Sequence, residues 1–123
     1  MREYEFRGKD IETGEWYYGC LLCTVENGCK FINVGMINKH NDYEDVDPNT
    51  VGQYTGIKDK NGKKIFEGDI VRYFRSELAV IVYRNGGIDI RSLSWRDREP
   101  IQRRLGEIEV IGNIYQNKYL LEG

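Results

Sequence analysis

The chain has 123 residues and a formal net charge of −2 at pH 7; 40% of it is hydrophobic, 12% aromatic and 31% charged. Such a mixture supports one modest domain and excludes disordered or collagen-like chains. With 18 basic against 20 acidic residues, no overall positive field exists to gather nucleic acid non-specifically.

No apolar run nears the roughly 18 to 20 residues that cross a bilayer, and the opening MREYEFRGKD has no signal-peptide core. A cytoplasmic chain without a membrane partner is expected. The cysteines Cys20, Cys23 and Cys29 are odd in number and no Asn-x-Ser/Thr sequon occurs, which fits free thiols in a reducing compartment. Charge is unevenly placed. Residues 1–56 hold 5 basic and 10 acidic residues, whereas 72–104 hold 8 arginines and 4 acidic residues. Attraction between these regions of two copies would make a homo-oligomer, and two solvated faces are the plainer alternative.

The readable period is two. Tyr4 and Phe6 alternate with Glu3, Glu5 and Arg7, predicting a strand with one buried and one wet face. Glu12 to Glu15 reads as a turn and Trp16 to Cys23 as an antiparallel return. Asn27-Gly28 is the next turn, with Lys30 to Val34 as a third strand. The polar stretch from Asn38 to Asn49 is expected to be a surface loop or short irregular segment separating an N-terminal sheet, residues 1–50, from a C-terminal part, residues 51–123.

In that second part, Val51 to Ile57 leads into Asp59-Lys60-Asn61-Gly62, where Asn-Gly supplies the positive φ angles of a tight hairpin. Gly68-Asp69 is another turn. Ile70 to Arg75 and Leu78 to Arg84 follow as strands, the latter with an unbroken apolar run that predicts a central strand buried on both faces. Asn85-Gly86-Gly87 closes a hairpin before Ile88 and Ile90. The charged segment from Ser92 to Leu105, with Pro100, is expected to be a long loop or short distorted helix. Glu107 to Tyr115 resumes alternation around a bend at Gly112, and Asn117 to Glu122 ends the chain in one helical turn. The whole is mainly β: a small N-terminal antiparallel sheet and a C-terminal SH3-like barrel or roll.

From Val46 onward, VDPNTVGQYTGIKDKNGKKIFEGDIV and later IEVIGNIYQNKYLLEG resemble the YopX family of bacteriophage and prophage proteins. The opening MREYEFRGKDIETGEW is similar to the family's start. The resemblance implies a β-rich N-terminal part joined to an SH3-like barrel, with no established activity, catalytic residue or cofactor. The matching positions Gly52, Gln53, Tyr54, Thr55, Gly56, Asp59, Gly62, Glu67, Gly68, Asp69, Gly112, Asn113 and Tyr115 read mostly as turn chemistry or packing. A proline often follows the asparagine at position 117 in such proteins; here Lys118 does.

Three patterns in the chain resemble sites of chemistry. Cys20-Leu-Leu-Cys23, Cys29 and His40 supply zinc-ligand types, but residues three apart on a strand face opposite ways, so no metal is expected. Gly56 to Lys64 echoes a phosphate loop, yet five residues separate its glycines where four are needed and Lys64 stands at the Ser/Thr position. The serines Ser76, Ser92 and Ser94 lie in no nucleophile elbow, and the acidic run Asp42 to Asp47 reads as a solvated loop. A non-enzymatic protein without a cofactor is therefore expected.

Binding remains. Arg72, Arg75, Arg84, Arg91, Arg96, Arg98, Arg103 and Arg104 accompany Tyr73, Phe74, Tyr83 and Trp95. This mixture serves protein interfaces and equally single-stranded nucleic acid. The candidate interaction residues are Trp95, Arg96, Arg98, Arg103 and Arg104, with Trp95 either an exposed anchor or a lid on the barrel. The expected function is a phage or prophage accessory protein acting as a self-associating β module that binds a host or phage protein; a nucleic-acid-binding regulator is the alternative.

Overall fold

A computed structural model of the chain describes residues 5–26, 30–37, 43–84, 86–94 and 98–121, the side chains of 21–26 and 30–34 excepted. The described strands are β1 (Phe6–Lys9), β2 (Trp16–Glu26), β3 (Lys30–Ile37), β4 (Tyr43–Asp45), β5 (Gly52–Lys58), β6 (Lys64–Phe66), β7 (Asp69–Tyr73), β8 (Glu77–Arg84), β9 (Gly87–Ser92), β10 (Arg98–Pro100) and β11 (Glu109–Asn113). They form two antiparallel sheets, one ordered β4-β3-β2-β1-β5-β6 and the other β10-β9-β8-β7-β11. The mainly β expectation holds, and no α-helix occurs among the described residues. A closed barrel does not form among them: β10 and β11 stand at opposite ends of the second sheet. The edge strand β10 has three residues and ends on Pro100, which lacks an N–H for a further ladder.

The chain divides into two compact units, Met1–Tyr54 and Thr55–Gly123. In the first, β1 pairs with β2 and with the start of β5. Asp10 closes the β1–β2 turn by accepting from the Glu12 and Thr13 N–H groups at 2.7 and 3.1 Å. Those bonds favour the carboxylate and hold Asp10 below its ordinary pKa. The wet face expected of β1 is only partly wet. Arg7 is buried, its guanidinium 4.9 Å from the centre of the Trp16 ring, so the aromatic face shelters a charge that alternation assigns to water. Met36 and Val46 form a small core with Phe6, Tyr17 and Val51. Between Asn38 and Asn49 the chain is not all loop. Tyr43–Asp45 is an exposed edge strand on β3, and Pro48–Thr50 is a single 3-10 turn capped by Asp47.

In the second unit, Ile65, Val71, Ala79, Ile81, Ile88, Ile90, Ile101 and Ile108 form the main core. Strand β8 is central, as its apolar run predicts, but only one face is fully buried. Ala79 and Ile81 are inaccessible, whereas Leu78, Val80 and Val82 are half-buried. The run is continuous because the second face is partly covered too.

The segment from Ser92 to Leu105 is more ordered than expected. Ser92 ends β9, Arg98–Pro100 pairs with it as β10, and Ile101–Arg104 forms a short 3-10 turn, which sends Ile101 into the core. Proline masked this strand because it is tolerated at an edge and not in a central strand. At the other end, Lys118–Leu121 forms the expected single turn.

The β5–β6 hairpin rests on Asp59. Its Oδ1 accepts from the Asn61 and Lys63 N–H groups at 2.8 and 2.9 Å, and its Oδ2 from the Val110 N–H at 2.9 Å. The Gly62 N–H donates to the Asp59 carbonyl, and the Asp59 N–H to the Lys63 carbonyl. Only Gly62, at φ +84°, is left-handed; Asn61 is not. This is a hairpin loop closed by a left-handed glycine, with the Asp59 side chain supplying what a second left-handed residue was expected to supply.

Candidate interaction face

The β7–β8 connection is the most unusual backbone among the described residues. Arg75 and Ser76 have φ of +54° and +63°, the only described non-glycine residues with positive φ. Side chains of this kind pay a steric cost there, and such costs gather where a function holds them. The turn lifts Phe74 outward, 44% exposed. Two guanidiniums cover the ring, Arg104 at 4.7 Å and Arg75 at 5.0 Å from its centre. Arg104 also lies 5.8 Å from the Tyr73 ring.

Carboxylates fix Arg104 in that position. Its Nε donates to Glu99 through a short bond, and its Nη1 lies 3.7 Å from Glu107. The Glu99 bond holds the guanidinium still more firmly protonated than usual. Burial pushes the Tyr73 phenol up, so it stays neutral at physiological pH. Leu105, directly after Arg104, is 53% exposed. The result is a pre-arranged aromatic and arginine surface, a composition enriched at protein interfaces.

The candidates taken from sequence do not all share this surface. Trp95 and Arg96 lie outside the described residues. Arg98 on β10 and Arg103 on the 3-10 turn are exposed, and Arg104 is half-buried in the Phe74 stack. Arg75, Arg84, Arg91, Arg98 and Arg103 make no ion pair among the described residues, whereas Arg72 meets Glu109 at 3.4 Å. Sequence reasoning passed over Leu105 and the two glutamates that lock Arg104. The spacing of Glu99, Arg104 and Glu107 around a short turn was the available signal.

For metal chemistry, the described residues contain no group of three or more His, Cys, Asp or Glu side chains able to hold an ion. Cys20 is an exposed free thiol; the side chains of Cys23, Cys29 and His40 lie outside the described set. The Gly56 to Lys64 stretch is a hairpin rather than a phosphate loop. The residues that carry the family phrase close the frame. Thr55 Oγ1 donates to the Ile65 carbonyl at 2.8 Å, buried Asp69 accepts from the Phe66 N–H at 2.7 Å, and Asn113 Oδ1 accepts from the Tyr115 and Gln116 N–H groups at 3.0 and 2.9 Å.

The model of the YopX protein family matches residues 5–122. The chain belongs to the YopX family. Its fold is that of protein EF1440 from Enterococcus faecalis, whose crystal structure superposes with a TM-score of 0.63 at 24% identity, covering 98% of this chain and 99% of that one. No curated protein matches. In this YopX family chain the matched phrases therefore account for the turns, while the Arg and aromatic surface falls in a segment those phrases do not contain.

Proposed function

We propose that this YopX family protein is a non-enzymatic phage or prophage accessory protein of the cytoplasm. It acts as a self-associating, protein-binding β module whose C-terminal unit is an open SH3-like roll. The observation that carries this reading is exposed Phe74, held between Arg75 and Arg104 on a left-handed turn. A flat aromatic ring fixed before binding loses little side-chain entropy on contact. The opposite charge of residues 1–56 and 72–104 supports a second copy as one partner.

Light scattering after size exclusion tests the reading. A mass above 14.4 kDa that rises with concentration, and falls back for Phe74→Ser, is expected. A wild-type monomer throughout the high micromolar range removes self-association.

Arg84, Arg91, Arg98 and Arg103, which make no ion pair among the described residues, favour one alternative, a nucleic-acid-binding regulator. Against it, Glu99 and Glu107 stand beside Arg104 and would meet phosphates with like charge. Salt-sensitive retention of single-stranded DNA, lost on reversing Arg98 and Arg103, would favour the alternative.

A further inference from the structure

Strands β9 and β10 meet with Arg91 directly opposite Arg98. Opposed residues of an antiparallel pair project on the same side. Their side is the one away from Ile90, which is fully buried in the main core. Both arginines are exposed, and neither has an ion pair among the described residues. Like charges placed directly opposite each other destabilise a sheet, so this arrangement weakens the isolated molecule at its edge.

The same register places Val80 beside Arg91 and Val82 beside Asp89. Leu78, Val80 and Val82 are half-buried, so the two arginines border a partly covered aliphatic stripe. Asp89 lies on the same face two residues from Arg91, so the margin carries two arginines against one carboxylate beside apolar area, a balance that calls for an acidic partner.

The first unit carries a surface of the opposite kind. Strand β4, Tyr43-Glu44-Asp45, is exposed at every position and forms the end of its sheet. Its Tyr43 hydroxyl donates to Asp45 Oδ1 at 2.8 Å, which orients ring and carboxylate together. Asp47 follows two residues later.

We infer that the Arg91–Arg98 margin of one copy docks on the acidic edge strand Tyr43–Asp45 of a second copy. This rests on the self-association proposed above and adds a charged contact to the Phe74 turn that carries it. The contact runs through side chains. Backbone strand addition is disfavoured at β10 because Pro100 cannot donate. The junction joins unlike surfaces, so it either closes reciprocally as a two-fold dimer or propagates head to tail.

Paired charge reversal tests the inference. Arg91→Glu with Arg98→Glu makes one variant, and Glu44→Arg with Asp45→Arg the other, each measured by sedimentation velocity alone and mixed at equal concentration. Each variant alone should be monomeric where the wild type associates, because its own two surfaces then repel. The mixture should recover the wild-type sedimentation coefficient, since every junction between unlike copies is again complementary. Circular dichroism matching the wild type confirms that each variant folds.

A wild-type protein that is itself monomeric overturns the self-association reading and this inference with it. A wild type that associates while either variant alone still associates, or while the mixture stays monomeric, overturns this inference only. Low-salt binding of single-stranded DNA that the arginine reversal abolishes, with the wild-type mass unchanged, also overturns it and assigns the arginines to nucleic acid.

Discussion

Replacing Asp59 by alanine removes one carboxylate and three acceptor contacts at once. The N–H groups of Asn61 and Lys63 lie at the hairpin tip, where water can replace the lost acceptor, so each costs about 0.5–1 kcal/mol. The Val110 N–H is joined to Asp59 across 51 residues of chain and is part-buried, so leaving it unsatisfied costs a further 1–3 kcal/mol by the same reasoning. The expected loss at pH 7 is about 3 kcal/mol, or a fall of roughly 10 °C in Tm for a chain of this size. Burial acts against ionisation of Asp59, but the hydrogen bonds from Val110, Lys63 and Asn61, aided by the Lys63 charge, outweigh it and lower the pKa below 3.8. A carboxyl lowered in the folded state stabilises fully above its unfolded pKa of about 3.9, and that contribution fades as pH falls through the lower folded value. Urea denaturation followed by circular dichroism should therefore show a wide gap between wild type and Asp59→Ala at pH 7 that narrows below about pH 4. A gap under about 0.5 kcal/mol at pH 7, or one unchanged at low pH, would refute the assignment of Asp59 as the hairpin's anchor.

Three further substitutions read other parts of the frame. Gly112→Ala places a methyl 2.5 Å from Asn117 Oδ1, which accepts from the Asn113 N–H at 3.0 Å; the expected cost is about 1–3 kcal/mol in chemical denaturation. Gly62→Ala, at φ +84° with open space around its α-carbon, should cost about 1 kcal/mol and Gly62→Asn distinctly less, because asparagine tolerates the left-handed region. Arg75→Gly relieves a non-glycine residue at φ +54° and should raise thermal stability by up to about 1 kcal/mol while weakening self-association in light scattering. An Arg75→Gly variant that is both less stable and equally associated would contradict the strained turn as a functional device.

Alternation made most strands legible, and Gly-containing pairs marked most turns. Strand β10 was hidden by Pro100, whose meaning depends on whether a strand lies at an edge, a property of the sheet and not of the residue. Strand β4 was hidden because Tyr43, Glu44 and Asp45 are all exposed and so carry no alternation. Arg7 misled for the opposite reason: its charge reads as solvent-facing until Trp16, nine residues on, offers a ring to cover. The arginine-rich character of the candidate face was visible in composition. Its geometry was not, because no sequence signal marks Arg75 and Ser76 as left-handed, and the Glu99 and Glu107 contacts exist only once residues 101–104 turn.

Three of the four strands that end the sheets, β4, β6 and β10, are each three residues long. Borders that short, charged at β4 and proline-stopped at β10, offer too few free main-chain groups to template growth by an incoming chain. The charged contact proposed above would accordingly loosen in concentrated salt and return on dilution.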